Sequence, residues 1–384
     1  MKFEKINIRK QYNLPEKVLF CKNCVQSNQR PRIVFDNEGV CNACRHFDHK
    51  AKIDWEEREK SLKDLLKKYK KNNGEFDVLV PSSGGKDSAV VAHKLKYEYG
   101  MNPLTVTWSP NAYTEIGFKN FQGLIAAGLP NILASPSGVV NRKLVKDSLI
   151  EIGDPFQPFI YGQVNFPMQI AIKYNIKLVM DGENGELEYG GATSSPNDGF
   201  TKKDEKKYWF SDFLIDKWLE KGYSKEDLYF YSGPDEEIIN KNNVIRKFWS
   251  DYKTWLPQEN YYYASENTNF QSNPDGRSEG TYSKYASLDD AIDGFHYYFM
   301  FLKFGFGRAT SDASHEIREN LITREEGLAL VKRYDGEFPQ KHFKFFLKYT
   351  NLSEDDFWSI CERWRGEHIF KKVNNNWKLK KSAQ

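Results

Sequence analysis

A doubly wound α/β fold, with a four-cysteine ribbon ahead of it and a mostly helical region behind, is the architecture this sequence predicts. Three observations predict it. From Phe76 to about residue 192, short β-rich runs alternate with helical patterns, the signature of a parallel sheet wrapped by helices. Four of the five cysteines crowd into residues 21–44 as two C-x-x-C pairs. Beyond residue 192 the alternation stops, and the rest reads mainly as helices with aromatic faces. The expected units are a ribbon over 1–50, a linker helix over 51–75, a sheet domain over 76–195, and a mostly helical, substrate-binding region over 196–384.

In chain order, the ribbon comes first. "CKNCVQSNQRPRIVFDNEGVCNAC" sets Cys21 and Cys24 in one C-x-x-C turn and Cys41 and Cys44 in another, with 16 residues between the pairs. Each turn directs two thiolates at one ion, and two turns complete a tetrahedral zinc site. With four cysteine ligands the shell is closed, so the expected zinc is structural. His46 and His49 just beyond read as surface residues. "DWEEREKSLKDLLKKYKKNNG" is then a charged amphipathic helix stopped by Gly74, its Glu–Lys pattern a solvated face. "DVLVP", "PLTVTWSP", "NILASP" and "IKLVMDGENG" read as four strands. Helices are expected from about Lys86 to Tyr99, over "AYTEIGFKNFQGLIAAG", over "GVVNRKLVKDSLIEIG" and from "PMQIAIKYN". "SSPNDGFTKKDEKK" reads as a mobile connection, and "LDDAIDGFHYYFMFLK" and "TREEGLALVKRY" as C-terminal helices.

Composition limits the function classes. Over 384 residues, Lys+Arg (56) nearly balances Asp+Glu (53), leaving +3. Nucleic-acid binding usually needs a concentrated basic face, so no nucleic-acid partner is expected. No apolar run approaches the ~20 residues of a membrane span. "FHYYFMFLKFGFG" is short and broken by Lys303 and Gly305. The N-terminal stretch lacks the apolar centre of a signal peptide. The expectation is a cytoplasmic protein with no membrane partner.

The chemistry-bearing stretch is "FDVLVPSSGGKDSAVVAHKL", a strand running through two glycines into a helix. A Walker A loop fails here, because Asp87 follows Lys86 and residue 80 is Val where the first Gly belongs. A dinucleotide fingerprint fails because Gly84 and Gly85 are adjacent. An anion nest remains: the glycines let backbone N–H groups approach phosphate oxygens, and the helix N-terminus adds its positive end. Ser83 and Ser88 add hydroxyls and Lys86 a point charge. An acid in an anion site is costly unless it holds a cation, which makes Asp87 a Mg²⁺ ligand.

This S-G-G-x-D-S string resembles the pyrophosphate loop of the N-type ATP pyrophosphatases (the PP-loop superfamily, of HUP-like fold). Those enzymes adenylate a substrate oxygen and release AMP after a nucleophile attacks. Two further stretches, "LVMDGENGELEYGG" at the end of the fourth strand and residues 279–339, narrow the resemblance. With the cysteine ribbon, they are similar to the N-acetyl sugar amidotransferase family (PseA/WbpG type) of bacterial surface-glycan pathways. The resemblance implies ATP, Mg²⁺ and zinc as cofactors, and conversion of an acetamido group to acetamidino on a nonulosonic acid or nucleotide-linked sugar. Position by position, it implies Ser83, Gly84, Gly85, Asp87 and Ser88 around the ATP phosphates, Thr107 and Trp108 beside the adenine, and Lys86, Asp87, Glu183 and Glu186 at the chemistry. An anionic sugar needs cations, so Lys303, Arg308, Asp312, His315, Arg318 and Arg324 are the expected substrate contacts. His296 and His315 are candidate proton relays, with a core role weighed for His296.

Cys21 and Cys24 belong to the ribbon and Cys361 has no nucleophile-elbow glycines, so no glutaminase is legible; ammonia is expected from a separate glutaminase subunit. A homo-oligomer is compatible with the sequence. The rival reading is a tRNA thiolase, which pairs cysteine ribbons with the same loop. It is disfavoured because no cysteine lies between Cys44 and Cys361 and no segment is strongly basic. A zinc-ribbon binding module with a degenerate nucleotide site is a third reading, opposed by the intact loop.

Overall fold

The computed structural model describes residues 3–191 and 213–384; the expected mobile connection at 194–207 lies outside the described residues. Five strands, β1 (Val78–Pro81), β2 (Pro103–Trp108), β3 (Asn131–Ala134), β4 (Leu178–Asp181) and β5 (Ile245–Phe248), form one sheet in the order β3-β2-β1-β4-β5. Every neighbouring pair is parallel. Both faces are covered, which explains why the strands read as continuous apolar runs rather than alternating ones. Leu79 and Val179 point into one core, while Val78, Val80, Leu178 and Met180 point into the other.

The helices of eight or more described residues are numbered in chain order. Helix α1 (Asn42–Lys50) closes the ribbon, and α2 (Trp55–Tyr69) buries Leu62 and Leu66 against the sheet while its charged face stays in water. Helices α3 (Lys86–Tyr97), α4 (Glu115–Ala126), α5 (Gly138–Ile152) and α6 (Gln157–Lys173) fill the crossovers. The α6 helix starts ten residues before the expected Pro167. Its first half is buried nearly all round, so it lacked the one-sided periodicity that marks a surface helix.

Strand β5 corrects the sequence reading, which ended the sheet domain at residue 195. "IRKF" is short and carries two cations, but it pairs with β4 from Leu178↔Ile245 to Asp181↔Phe248. Arg246 is tolerated in the sheet because Asp181 on β4 takes its guanidinium and Val164 O accepts a further bond at 3.1 Å.

Behind the sheet lie α7 (Pro257–Asn267), α8 (Asp293–Phe304), α9 (Arg308–Arg318), α10 (Arg324–Tyr334), α11 (Phe343–Thr350) and α12 (Glu354–Trp364). Phe295, Phe299, Phe346 and Phe357 make the centre of this region's core, with Phe295 stacked on Phe346 at 4.0 Å. A hairpin, β6 (Phe370–Val373) and β7 (Asn376–Leu379), ends the fold, its turn made by Asn374 and Asn375 at positive φ. Among the described residues no helix is long and apolar enough to cross a membrane.

In the order 3-2-1-4-5 the chain leaves β1 in one direction and returns to its other side at β4. A crevice therefore opens at the carboxyl ends of β1 and β4, the place where open α/β sheets bind ligands. The loop after β1 is Ser82–Gly85, and the loop after β4 begins at Gly182.

Candidate active site

Four residues carry the chain from β1 into α3. Gly84 has φ +89°, and a Cβ there would lie 2.6 Å from Cα of Phe121 on α4. Glycine is needed on both counts, so its first task is packing the loop against α4 rather than approaching phosphate. Gly85 is the extended N-cap of α3, which leaves the first N–H groups of that helix facing the crevice. The hydroxyls of Ser82 and Ser88 are 2.8 Å apart and brace the turn.

Two cavities meet at this loop. The first, about 500 Å³, is lined by Ser83, Gly85 and Ser88, by Val106 and Trp108 of β2, and by Arg246. The second, about 380 Å³, is lined by Lys86, Tyr297, Arg308, Asp312 and His315 among others. Asp87 and Glu183 line both. A larger cavity of about 1020 Å³, between α4 and residues 271–279, touches none of the loop residues.

At the junction, Lys86 Nζ is 2.5 Å from Asp87 Oδ2, and Asn260 Nδ2 of α7 donates to Asp87 Oδ1 at 3.0 Å. Trp255 Nε1 donates to Glu183 Oε2 at 2.9 Å. Burial, and then the negative charge of Asp87, push the Glu183 carboxyl up to about 7. With Asp87 beside it at the loop, Glu183 completes a two-carboxylate donor set suited to Mg²⁺, which would favour the Glu183 carboxylate.

That shift has a consequence for stability without magnesium. The folded state holds the Glu183 proton to about pH 7, whereas an unfolded Glu releases it near pH ~4.3. Stability from this group is therefore full below the unfolded value and is lost as pH rises towards 7, on the order of 3 kcal/mol in all. Glu183→Gln removes the titration and keeps an acceptor for Trp255. Thermal unfolding of zinc-loaded, magnesium-free protein should lose less Tm between pH 5 and 8 in the variant than in wild type; parallel curves would refute the shift.

The wall contributed by α8 and α9 is charged and paired. Arg308 donates Nε to Asp312 Oδ1 at 2.8 Å and Nη1 to Tyr297 OH at 2.5 Å, and Thr281 donates to Asp312 at 2.6 Å. His315 lies between two carboxylates, 2.7 Å from Glu319 and 3.3 Å from Glu188. Its burial works against the imidazolium, but the two acids outweigh it and raise the group to about 9. His296 pairs with Asp154 at 2.8 Å and also borders this cavity.

Six sequence-based assignments, Gly84 among them, do not reach either cavity. Thr107 faces the opposite side of β2 from Val106 and Trp108, by strand alternation; its hydroxyl donates to Ser82 O and accepts from Asn131 at 2.8 Å. Trp108 does line the first cavity, with its ring on Gly162, where a Cβ would meet it at 2.0 Å. Glu186 turns away from the junction to pair with Arg32 of the ribbon at 2.7 Å. Lys303 is buried, donating to Ile152 O at 3.3 Å amid the rings of Tyr12, Phe304 and Trp364. Arg318 donates to Glu188 O at 2.7 Å. Arg324 donates to the backbone carbonyls of Cys24 and Cys21 at 3.3 and 3.4 Å, so it braces the ribbon. The sequence reading also missed Arg30, Tyr189 and Tyr285, which line the second cavity, because nothing local in their sequence marks them.

The ribbon holds its four sulfurs within 4.8 Å of one another. Measured edges are 3.8 Å (Cys21–Cys44), 3.7 Å (Cys24–Cys41) and 3.6 Å (Cys41–Cys44). A tetrahedron with Zn–S bonds of about 2.3 Å has edges of about 3.8 Å, so the set fits zinc. The backbone N–H of Cys41 points to Cys21 Sγ at 3.3 Å and that of Gln26 to Cys24 Sγ at 3.4 Å, as thiolates require.

Residues 279–384 match the family model for the LPS biosynthesis protein WbpG-like, C-terminal domain. The C-terminal region is WbpG-like. Ahead of that region the chain carries the S-G-G-x-D-S loop on a parallel sheet. The match begins at Glu279, so Tyr297, Arg308, Asp312 and His315 of the second cavity belong to the WbpG-like domain. The chain is also 29% identical over 87 residues to an uncharacterized protein of Methanocaldococcus jannaschii, MJ1599, covering 22% of this chain and 31% of that protein. Among solved structures it is similar to the NH3-dependent NAD synthetase of Campylobacter jejuni, at TM-score 0.29 and 16% identity over 50% of this chain and 92% of that one.

Proposed function

We propose that the protein is an ATP-dependent amidotransferase that converts the acetamido group of an N-acetylated bacterial surface-glycan sugar into an acetamidino group. The observation that carries this reading is the junction: Asp87 and Glu183 border both the phosphate-loop cavity and the cavity walled by the WbpG-like domain. A nucleotide on one side and a sugar on the other would meet there.

The chemistry follows from the weakness of an amide as an electrophile. Its oxygen attacks the α-phosphorus of ATP and pyrophosphate departs, which turns that oxygen into a leaving group. Ammonia adds to the carbon, loses protons, and AMP leaves with the oxygen, so C=O becomes C=NH. Magnesium at Asp87 and Glu183 would neutralise phosphate charge. The chain's own part is to hold the two substrates in line and out of water, with α3 N–H groups and Lys86 at the phosphates. His315, between Glu188 and Glu319, is placed to exchange protons with the incoming nitrogen.

Cys361 supports an external source of ammonia. It is buried in the C-terminal core, and burial pushes its thiol up, the reverse of what a glutaminase nucleophile needs. A separate glutaminase subunit is the expected donor.

Incubation with ATP, Mg²⁺, ammonium and a panel of N-acetylated sugars tests the reading. The expected result is AMP together with one sugar whose mass falls by the difference between O and NH. Folded, zinc-loaded protein that makes no AMP with any sugar would defeat it.

A further inference from the structure

Arg30 stands apart from the other cations around the second cavity. Lys86 is paired with Asp87, Arg308 with Asp312 and Tyr297, and His315 with Glu188 and Glu319. Among the described residues, the Arg30 guanidinium has no hydrogen bond and no ion pair. It lines the cavity and lies over the rings of Tyr189 at 5.6 Å and Phe306 at 5.9 Å. Burial bears against its charge, the carboxylate of Glu186 nearby favours it, and Arg32 and Arg318 oppose it. A half-buried guanidinium with no hydrogen-bond partner is costlier to keep than the paired cations beside it.

The backbone around Arg30 is held firmly. It sits between the two C-x-x-C pairs, where its N–H donates to Ser27 O at 3.2 Å and its carbonyl accepts from Ile33 at 3.2 Å. Buried Gln29, the preceding residue, donates to Pro15 O at 3.2 Å and meets His368 at 3.1 Å. The flat guanidinium is thus presented to the cavity from a rigid support, with aromatic rings close by and its N–H donors unspent. Such a group is preorganised for a planar or tetrahedral oxyanion, which it takes with two parallel donors.

We propose that Arg30 is a specificity-determining residue: the zinc ribbon delivers it into the sugar cavity, where it binds an oxyanion of the substrate, a carboxylate or a phosphate. This rests on the amidotransferase reading for the identity of the sugar, while the oxyanion site itself stands on the geometry of Arg30. It also gives the ribbon a task beyond bracing the fold. A cavity of about 380 Å³ lies at the small end of ligand pockets and suits a single sugar ring with its acid group.

The test uses the full, zinc-loaded chain and three probes: N-acetylneuraminic acid for a carboxylate, UDP-N-acetylglucosamine for a diphosphate, and uncharged N-acetylmannosamine. Binding is measured by calorimetry for wild type, Arg30→Gln and Arg30→Lys, with ATP binding as a second measurement on the same samples. Wild type should prefer at least one anionic probe to the uncharged one, and which one names the oxyanion. Arg30→Gln should lose roughly 10- to 100-fold in affinity for that probe. Arg30→Lys should recover only part of it, because it restores charge without the fork. ATP binding should be the same in all three. An unchanged preference in Arg30→Gln overturns the inference, as does a wild type that binds neither anion. If wild type makes acetamidino product and Arg30→Gln does so with unchanged KM, the inference fails and the amidotransferase reading stands; if wild type prefers an anion through Arg30 but forms no AMP, the oxyanion site stands and the reading fails.

Discussion

Asp87→Ala should abolish AMP formation, lowering it by at least about 10²- to 10³-fold, the scale seen when one preorganised electrostatic partner of a transition state is removed. The reason lies in its position. Asp87 borders both cavities, follows directly on Lys86, and shares the junction with Glu183. Without it, a cation at the phosphates loses a ligand and Lys86 loses the carboxylate that aims it. The loss should fall on kcat, since most contacts to both substrates survive. Zinc content should be unchanged, because none of the four cysteines touches this loop. Asp87→Asn is the sharper variant: it keeps the shape and an acceptor for Asn260 and removes only the charge. If it retained wild-type AMP release, Asp87 would be a structural residue and the magnesium assignment would be wrong.

Stripping zinc from the four-cysteine set that fits it should have the largest effect on stability. Structural zinc sites of this kind carry apparent binding energies of about 10–16 kcal/mol, and that energy is folding energy. Here the ribbon is tied to the rest of the chain by several contacts: Arg324 holds the carbonyls of Cys21 and Cys24, Arg32 pairs with Glu186, Lys50 pairs with Glu188 at 2.8 Å, and Asn42 donates to Gly191 O at 3.0 Å. Cys24→Ser should release the metal, lower Tm by roughly 10 °C, and loosen the loop after β4 that carries Glu183. Elemental analysis and thermal unfolding read both effects. One zinc per chain in Cys24→Ser, with unchanged Tm, would mean that the four sulfurs are not its ligands.

The ribbon and the phosphate loop were legible because their chemistry is local. Two C-x-x-C turns can close on one ion whatever surrounds them, and the S-G-G-x-D-S string sets its own turn between a strand and a helix. Strand β5 was illegible for the opposite reason. "IRKF" has no strand pattern of its own, and its buried Arg246 is accepted only because Asp181 and the carbonyl of Val164 wait on neighbouring elements.

The same contrast runs through the cationic residues of the C-terminal region. Sequence read all six of Lys303, Arg308, Asp312, His315, Arg318 and Arg324 as substrate contacts; the structure places Arg308, Asp312 and His315 on the second cavity and the other three off it. All are charged side chains within one stretch of 22 residues. They sit on three helices, α8, α9 and α10, each packed against different elements, so closeness in sequence does not give them a common partner. Arg308 and His315 face the cavity, Lys303 faces aromatic rings, and Arg324 faces the cysteine ribbon.

By itself the sequence determined the strand-to-helix loop, the four clustered sulfurs, the parallel sheet and the WbpG-like C-terminal region. Each depends on residue type at short spacing. Tertiary structure alone decided that Asp87 and Glu183 stand where two cavities meet, and that Arg30, just over 50 residues before the phosphate loop, borders the second of them. A side chain's partners are set by which elements pack together, and that is a property of the whole chain's burial rather than of any segment in it.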